Sequence, residues 1–340
     1  MKIALWGSYD HGNFGDDLMA EIFAREIARQ GHEVTLISNN PLLDDAENSY
    51  LRGSLSGWEG DLVVVGGGAM LSSESRLRFY LSRASRDVEK EFRSLLNFTQ
   101  AANVPVMPIS IGGDGVSPPA IMGSRHRFFA SNVVQQGTVR LRADVDMAES
   151  VFGLHLAYYP DILFATNRLI SNVARPDRIA TKPRIGVNVN EKKVDGEFRR
   201  LVEDLSAWSE VVYLTTHSSH FNRRYELRPN GAEAISYETL PDFLAGLAAL
   251  DLVISDKLHV GAVAASYGVP FLSYKGRGKV RRAHEELGLS EAIVTSSEHL
   301  STLLLKWRDA GNVRTLADSI PANGLDQEAM GHLLFLKSRL

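Results

Sequence analysis

Short apolar segments alternate with longer amphipathic stretches along most of this 340-residue chain, and this alternation constrains its fold more than any other feature. The first unit is complete by residue 38. An apolar run at Lys2–Trp6 precedes a glycine-rich turn, an amphipathic stretch at about Asp16–Gln30 and a second apolar run at Val34–Ser38. The pattern predicts a strand, a helix and a parallel strand. Such βαβ units build mostly parallel sheets with helices on both faces.

The alternation pauses once, near the middle of the chain. The segment from Phe164 to Pro183 carries Asn167, Ser171, Asn172, Pro176 and Pro183, and a new series of predicted strands and helices starts at Arg184. We therefore predict a linker there. The predicted boundaries are 1–168 for an N-terminal Rossmann-like domain, 180–322 for a C-terminal one, and 323–340 for a helix that packs on either domain.

Two doubly wound domains joined by one linker indicate a specific architecture. The predicted fold class is α/β and GT-B-like, with two doubly wound Rossmann-like domains that face each other across a cleft. In such sheets ligands bind beyond the carboxyl ends of the strands, where the strand order reverses. The fold alone does not name a reaction, because many chemistries share it.

Composition excludes several classes of function. The formal net charge is -4 and the pI is near 6.2, which argues against a general polyanion binder, with only the basic run at Lys275–Arg282 as a local exception. The chain has no cysteine, so disulfides, thiolate zinc sites and cysteine nucleophiles are excluded. The first residues do not form a signal peptide, and no apolar run reaches the roughly 20 residues that span a bilayer. We expect a cytoplasmic protein.

The first segment with chemical potential is the glycine-rich turn GSYDHGNFGDD at residues 7–17. Gly15 permits close approach to the backbone, and Asn13 and Asp16 suit a helix N-terminus, where an anion or a hydroxyl-rich ligand can bind. The glycine spacing does not fit the dinucleotide fingerprint. A tight turn with capping residues explains the same pattern without a ligand.

The second segment is DLVVVGGGAML at residues 61–71, in which an apolar strand runs into Gly66, Gly67 and Gly68. Three consecutive glycines cost backbone entropy, so the fold must need a bare backbone at this point. A ligand against exposed N–H groups at the strand end is one explanation. Close packing of neighbouring loops is the other.

Two further segments place polar residues at predicted strand ends. Arg140 lies in or just after a buried strand, so it must be paired or must face a pocket, and Asp161 is the candidate partner for a structural ion pair. His217 follows the strand Val211–Thr215, where it suits proton transfer or phosphate contact. A solvated loop histidine is the alternative, and we expect His220 to be one.

The segment SDKLHVGAVAASYGVP, residues 255–270, is the most informative part of the chain. An apolar strand ends at Ser255, Lys257 follows, and His259 opens a helix of small residues that can lie close to the sheet. A helix N-terminus favours anions, and Lys257 adds a full positive charge. A phosphate or carboxylate is the expected ligand, and His259 beside it suits general acid catalysis. A capping arrangement with a surface pair of Asp256 and Lys257 is the alternative.

Together these segments resemble the polysaccharide pyruvyl transferase family over about residues 3–290. The residues that carry the resemblance are Gly12, Asn13, Gly15 and Asp16 in the first segment; Asp61–Gly68 in the second; Val139, Arg140, Pro160 and Asp161; and Ser255, Asp256, Lys257, Leu258, His259, Gly268, Val269, Pro270 and Lys279. The family usually has arginine where this chain has Lys257. Lysine keeps the charge but loses the bidentate geometry of a guanidinium.

The resemblance implies transfer of a pyruvyl group from phosphoenolpyruvate onto two sugar hydroxyls, which leaves a cyclic ketal and free phosphate. It implies His259 as the general acid that protonates the methylene carbon, and Asp16 as the group that accepts a hydroxyl proton. The donor's phosphate and carboxylate are assigned to Lys257, Arg140, Lys279 and His217. The acceptor or close backbone approach is assigned to Asn13, Gly15, Gly66, Gly67 and Gly68.

The implied partners are phosphoenolpyruvate, as a co-substrate, and a glycan acceptor. The glycan belongs to a polysaccharide or to its lipid-linked or oligosaccharide precursor in the synthesis of exopolysaccharide or cell envelope. Neither a cofactor, a metal nor nucleic acid is expected, whereas peripheral contact with a membrane-bound precursor and an oligomer are compatible with the sequence. The alternatives are a GT-B glycosyltransferase with a nucleotide-sugar donor and a non-catalytic relative that binds a glycan or an anion.

Overall fold

The protein is represented by a computed structural model. It describes residues 1–43, 49–71, 82–113, 123–170, 173, 182–221, 226–276, 278–309 and 324–340. Contacts between Cα atoms divide the chain into two compact units. Unit 1 comprises Met1–Asp10, Asp16–Ile162 and Glu328–Leu340, and unit 2 comprises His11–Gly15 and Leu163–Gln327.

Unit 1 is built on a parallel sheet of five strands in the order β3-β2-β1-β4-β5. The strands are β1 (Lys2–Trp6), β2 (Glu33–Ile37), β3 (Leu51–Gly53), β4 (Leu62–Gly66) and β5 (Val106–Ile109). A second parallel pair, β6 (Gly137–Val139) and β7 (Leu156–Tyr158), continues the sheet through single bridges beside β5. Strand β4 is buried along its whole length, as expected for a parallel strand covered on both faces.

Six helices accompany these strands in the described part of unit 1. They are α1 (Phe14–Arg29), α2 (Arg83–Ala101), α3 (Ser124–Phe129), α4 (Arg142–Phe152) and, from the C-terminal segment, α11 (Leu325–Ala329) and α12 (Gly331–Lys337), of which α1 and α11 each begin with residues grouped in unit 2. The core is partly aromatic: the ring centroids of Phe92 and Phe128 lie 5.5 Å apart. Residues 323–340 were predicted as one helix, but the segment forms two. Gly331 starts the second, and a Cβ there would lie 2.1 Å from the ring of Tyr159.

Unit 2 is built on a parallel sheet of six strands in the order β10-β9-β8-β11-β12-β13. The strands are β8 (Arg184–Asn188), β9 (Glu210–Thr215), β10 (Ala234–Ser236), β11 (Leu252–Ser255), β12 (Phe271–Tyr274) and β13 (Ile293–Val294). Counted within the unit, this is the order 3-2-1-4-5-6 of the Rossmann fold, which reverses direction between its first and fourth strands. The switch point of unit 2 therefore lies between β8 and β11.

The helices of unit 2 connect these strands. They are α5 (Thr166–Leu169), α6 (Gly196–Ser206), α7 (Leu240–Ala248), α8 (Leu258–Ser266), α9 (Gly278–Glu286) and α10 (Ser297–Asp309). Small residues bring α8 close to the sheet as predicted, because a Cβ at Gly261 would lie 2.3 Å from the ring of Phe271 in β12. Asp195 caps α6 by accepting a hydrogen bond from the Phe198 amide at 2.8 Å.

The predicted α/β class with two Rossmann-like domains is confirmed. The boundaries at 168, 180 and 323 stay predictions, and residues 180, 322 and 323 lie outside the described residues. The contact-based units differ from these boundaries at three places. His11–Gly15 and residues 163–168 group with unit 2, and the chain from Glu328 onward groups with unit 1. Among the described helices, none has the length and apolarity that a bilayer crossing requires.

Candidate active site

The switch point of unit 2 ends in two buried polar residues. Asn188 closes β8 and Ser255 closes β11, and the two face each other in the strand register. The Ser255 hydroxyl donates to Asn188 Oδ1 at 3.0 Å, and Asn188 Nδ2 donates to the carbonyl of Leu214 at 2.8 Å. The carboxyl edge of the sheet is therefore held by side-chain hydrogen bonds as well as by the backbone ladder.

Lys257 stands at the N-cap position of α8, directly after this edge. Its amide donates to the Ser255 hydroxyl at 3.0 Å. Its ammonium donates to Asn188 Oδ1 at 3.3 Å and to Glu226 Oε1 at 2.8 Å, while about a quarter of the side chain remains exposed. The positive charge predicted for the helix N-terminus is present, and it is paired with a carboxylate.

Glu226 collects donors on a single carboxylate oxygen. Its Oε1 accepts from Thr216 Oγ1 at 2.7 Å, His217 Nδ1 at 3.2 Å and Lys257 Nζ at 2.8 Å, and the side chain is fully buried. Burial alone would raise the pKa of this carboxyl group. The hydrogen bond from His217 and the charge of Lys257 outweigh burial and hold the pKa well below its usual range, so Glu226 is a buried anion.

Glu226 could not be selected from the sequence, because it belongs to none of the segments with chemical potential. Its only signal is an acidic residue between aromatic and aliphatic neighbours in YEL, a pattern shared by many surface strands. Its backbone forms an isolated antiparallel bridge with Asn190, just beyond β8. The residue therefore reaches the carboxyl edge of the sheet through tertiary structure.

The glycine-rich segment His11–Gly15 pairs with the residues that follow β9. Asn13 and His217 form an antiparallel bridge, flanked by hydrogen bonds from the Phe14 amide to the Thr216 carbonyl and from the Ser218 amide to the Gly12 carbonyl, both 3.0 Å. Phe14 is fully buried, and its ring centroid lies 4.4 Å from that of Phe243. This contact explains why the segment groups with unit 2.

Gly12 and Gly15 each make a close contact that leaves no room for a Cβ atom. A Cβ at Gly15 would lie 1.8 Å from Nδ1 of His259, and a Cβ at Gly12 would lie 2.2 Å from the ring of Phe221. Gly12 also has φ of 57°, a left-handed conformation that favours glycine. His259 lies in the first turn of α8, half-buried. The segment His11–Gly15 thus contacts both histidines of the site. The backbone of Asn13 pairs with His217, and Gly15 packs against His259.

Further ion pairs line the carboxyl edge of the same sheet. Asp256 pairs mainly with Lys193, whose Nζ lies 2.8 Å from Asp256 Oδ2. The surface pair of Asp256 and Lys257 that the sequence analysis considered is a longer contact, at 4.0 Å. Lys275 Nζ donates to Asp195 Oδ2 at 2.7 Å, and this hydrogen bond lowers the pKa of Asp195 to about 2. Lys279, predicted to bind the donor, lies half-buried in the first turn of α9.

His220 has the environment expected of a solvated loop histidine. More than half of its side chain is exposed, and its Nδ1 lies 3.7 Å from Glu238 Oε2, whose side chain is also exposed. Like His217 and Glu226, this pair consists of a histidine and a glutamate, and its histidine follows His217 by three residues. It differs in burial, which makes it a natural control for the buried pair.

In unit 1, Arg140 forms an ion pair with Asp161, with its Nη1 2.8 Å from Asp161 Oδ2. Both side chains are almost fully buried, at 3% and 2% exposure. A Cβ at Gly112 would lie 2.7 Å from Arg140 Nε, so the guanidinium also needs a bare backbone beside it. The structural ion pair weighed in the sequence analysis is present, and the role of Arg140 in donor binding stays a prediction.

The three consecutive glycines at the end of β4, Gly66, Gly67 and Gly68, support close loop packing in unit 1. The Gly67 amide donates to the Ile109 carbonyl at 2.8 Å, and the Gly68 carbonyl accepts from the Gly112 amide at 3.0 Å. Gly67 and Gly68 have φ of 64° and 85°. Gly66 accepts a 2.5 Å hydrogen bond from the Tyr9 hydroxyl at its carbonyl oxygen. Loop packing therefore explains these glycines without a ligand.

Asp16 also belongs to unit 1, where a Cβ at Gly68 would lie 3.3 Å from its Oδ1. Burial, then the charges of Asp16 and Asp17, raises the pKa of Tyr9 well above its usual value. The predicted site residues thus fall into two sets: Asn13, Gly15, His217, Lys257, His259 and Lys279 in unit 2, and Asp16, Gly66, Gly67, Gly68 and Arg140 in unit 1. Among the described residues there is no cluster of three metal-ligating side chains.

Solved structures with this fold define the class of protein. UDP-GlcNAc 2-epimerase from Neisseria meningitidis is 12% identical, with a TM-score of 0.58 and coverage of 98% of this chain and 100% of that one. HepE from Anabaena, in complex with UDP and glucose, is 14% identical, with a TM-score of 0.57 and coverage of 100% and 99%. MnaA from S. aureus with UDP is 10% identical, with a TM-score of 0.58 and coverage of 100% and 97%. The protein has the GT-B fold.

The family follows from the sequence match. The family model for polysaccharide pyruvyl transferase matches residues 13–275, which is most of the chain. The chain therefore belongs to the polysaccharide pyruvyl transferase family, a family of transferases in polysaccharide biosynthesis with glycan acceptors. No curated protein matches the chain. The matched range contains the glycine-rich segment from Asn13 and the whole SDKLH element.

Proposed function

We propose that the protein transfers the pyruvyl group of phosphoenolpyruvate onto two hydroxyls of a sugar. The sugar belongs to a polysaccharide or to its lipid-linked or oligosaccharide precursor, and the products are a cyclic ketal and phosphate. The observation that carries the proposal is the arrangement at the start of α8. A lysine at the N-cap position, a histidine in the first turn and a glycine packed against that histidine adjoin the switch point of a Rossmann-like sheet.

This arrangement suits an enol phosphate donor. The N-terminus of α8 offers backbone N–H groups and a partial positive charge for a phosphate or carboxylate. His259, in its first turn, is proposed to protonate the methylene carbon of the donor, which generates a cationic centre that a sugar hydroxyl attacks. Lys279, in the first turn of α9, remains a candidate for one of the donor's anionic groups, and no cofactor enters the proposed reaction.

The paired state of Lys257 refines its proposed role. Its ammonium already donates to Glu226, so a donor anion would meet a lysine and a glutamate together rather than an isolated cation. We propose that Lys257 contributes to the donor site by its exposed part and by its place at the helix N-cap. Because Lys257 is already paired with Glu226, neutralising the charge of the donor's anionic groups also requires Lys279 or the N-terminus of α8.

The experiment incubates the purified protein with phosphoenolpyruvate and a panel of β-galactosides and N-acetylhexosaminides. We expect phosphate release that depends on one acceptor, together with the mass gain of one pyruvyl ketal on that acceptor. Binding of UDP and GDP is measured in parallel. Absence of phosphate release with every acceptor, combined with tight binding of either nucleotide, would contradict the proposal.

A second candidate function is glycosyl transfer from a nucleotide sugar. The observation that favours it is the fold similarity to HepE, whose structure holds UDP and glucose, and to MnaA with UDP. A diphosphate could use the same helix N-terminus. A non-catalytic relative that binds a glycan or an anion is the third reading. Adding UDP-sugars and GDP-sugars as a further donor arm separates all three, because a non-catalytic relative would bind ligand and show no turnover with phosphoenolpyruvate or with a nucleotide sugar.

A further inference from the structure

Two histidines flank the glycine-rich segment of unit 2 in different ways. His259 packs against Gly15, while His217 pairs through its backbone with Asn13. The proposed reaction needs an acid for the methylene carbon and a base for the sugar hydroxyl. His259 serves as the acid in the proposed function, and the family resemblance implies Asp16, a residue of unit 1, as the base. The environment of His217 offers a different candidate for the base, within unit 2.

We propose that Glu226 is a positioning residue that holds His217 as the proton acceptor for the attacking sugar hydroxyl, an inference that rests on the proposed pyruvyl transfer. Glu226 Oε1 lies 3.2 Å from His217 Nδ1. Glu226 is a buried anion and accepts only, so His217 must donate from Nδ1. A carboxylate that fixes the tautomer of a histidine and stabilises the imidazolium that forms is the arrangement of a catalytic acid–base pair.

The charges that face His217 support this assignment. Lys257 Nζ binds the same oxygen of Glu226 at 2.8 Å, and Thr216 Oγ1 binds it at 2.7 Å. These two donors hold the Glu226 carboxylate in place independently of its contact with His217. The nearby residues Ser218 and His220 contact a different carboxylate, that of Glu238. The buried pair is therefore held rigidly, whereas the neighbouring pair of His220 and Glu238 is exposed.

The protons balance in the proposed reaction. His259 gives one proton to the methylene carbon of the donor, and each of two sugar hydroxyls loses one proton as its oxygen bonds to the central carbon. The phosphate leaves with the electron pair of its C–O bond. His217 takes the proton of an attacking hydroxyl. Of the two protons released, one restores His259 and the other leaves with the phosphate or with solvent.

The first test reads the tautomer of His217 without substrate. Long-range ¹H–¹⁵N spectra of the full-length protein are recorded for the wild type, Glu226→Gln and Glu226→Leu, and His217→Gln assigns the signals. We expect the Nδ1–H form in the wild type and in Glu226→Gln, because the glutamine oxygen still accepts. Glu226→Leu should shift the ring toward the Nε2–H form. An unchanged tautomer in a folded Glu226→Leu would overturn the inference.

The second test measures kinetics with phosphoenolpyruvate and the acceptor found by the panel. His217→Gln and Glu226→Leu should each lower kcat by about 10²-fold, with little change in KM for phosphoenolpyruvate. The double variant should be no slower than His217→Gln, because the two residues act as one unit. Glu226→Gln, which keeps the acceptor oxygen, should lose less, and it preserves the test if Glu226→Leu does not fold.

The matched control is Glu238→Leu, which removes the carboxylate of the exposed pair and should leave kcat unchanged. A rise in KM for phosphoenolpyruvate with unchanged kcat in His217→Gln would assign His217 to donor binding and overturn the inference. Independent, multiplying losses in the double variant would also overturn it. Absence of turnover in the wild type instead overturns the proposed function and, with it, the proton-transfer role, whereas the tautomer still reports what Glu226 does.

Discussion

The two units have related strand orders, but the ion pairs beyond the carboxyl ends of their strands differ in solvent exposure. In unit 1, Arg140 and Asp161 are 3% and 2% exposed. In unit 2, Glu226 is fully buried while Lys257 is 26% exposed. A pair sealed from water on both sides serves the core. A pair with one solvent-accessible member keeps charge and hydrogen-bonding capacity available to a ligand, and the proposed reaction uses this pair.

The largest expected effect on stability is in unit 1. Arg140→Met or Asp161→Asn leaves an uncompensated group in a buried site, and each should lower the free energy of unfolding by about 3–5 kcal/mol. Urea unfolding followed by circular dichroism measures the loss. The double variant Arg140→Met/Asp161→Leu should recover part of it. A stable Arg140→Met protein that has lost only affinity for phosphoenolpyruvate would instead make Arg140 a ligand residue.

In unit 2, Lys257→Met should affect activity more than stability. Thr216 and His217 still donate to Glu226 in this variant, so the loss of unfolding free energy should be smaller than at Arg140. The value of kcat/KM for phosphoenolpyruvate should fall by at least about 10-fold. Lys257→Arg is the matched control, because a guanidinium can still pair with Glu226. A Lys257→Met protein with unchanged kcat/KM would show that this pair, like that of unit 1, is purely structural.

A change at Gly15 tests the packing between the glycine-rich segment and His259. Gly15→Ala places a Cβ 1.8 Å from the present position of His259 Nδ1, so the ring or the segment must move. A displacement of about 1 Å in a catalytic group can cost roughly 10²-fold in rate. We expect kcat to fall by between about 10-fold and 10²-fold. Gly196→Ala is the control, since a Cβ there meets no atom within 4 Å. Equal activity of Gly15→Ala and Gly196→Ala would show that the packing of Gly15 against His259 does not matter for catalysis.

A further expected effect concerns the pH dependence of stability in unit 1. Burial lowers the pKa of His332 from 6.5 to about 4, so the folded state favours the neutral ring. The stability that His332 contributes is complete above pH 6.5 and is lost as the pH falls toward 4, by about 3 kcal/mol over that window.

Urea unfolding at pH 7.5 and pH 4.5 measures this dependence. His332→Gln should be less stable at pH 7.5, because Thr138 and the Pro160 carbonyl lose a partner, and its stability should depend less on pH. His155→Gln is the control, since that ring is 73% exposed. Burial also lowers the pKa of His284 in unit 2, which adds a loss of the same sign in every variant. Equal pH dependence in wild type and His332→Gln would refute the assignment.

Much of the fold could be predicted from the sequence because buried parallel strands leave a strong local signal. The strand at Lys2–Trp6 was predicted with the observed bounds, the strand before Lys257 ends at Ser255 as predicted, and α8 begins one residue before the predicted start at His259. Short strands such as Leu51–Gly53 and Ile293–Val294 were missed. Segments of two or three residues carry too little periodicity, and their pairing depends on neighbours distant in the chain.

The candidate site was predictable where function depends on local chemistry. Lys257 and His259 at a strand-to-helix junction, and glycines beside them, could be identified from residue type and order. Glu226 could not, because its importance arises from donors on Thr216, His217 and Lys257 that meet it only in the folded chain. The grouping of the glycine-rich segment with unit 2 was equally hidden, since it depends on where the ring of Phe14 packs.

One measurement tests the central proposal most directly, the comparison of wild type and His259→Ala at saturating phosphoenolpyruvate and acceptor. Phosphate release and ketal formation are followed together, with the exposed His299→Ala as control. The account predicts a fall in kcat of at least about 10²-fold for His259→Ala, with an unchanged melting temperature, and no effect of His299→Ala. A His259→Ala protein that forms the pyruvyl ketal at the wild-type rate would contradict the account.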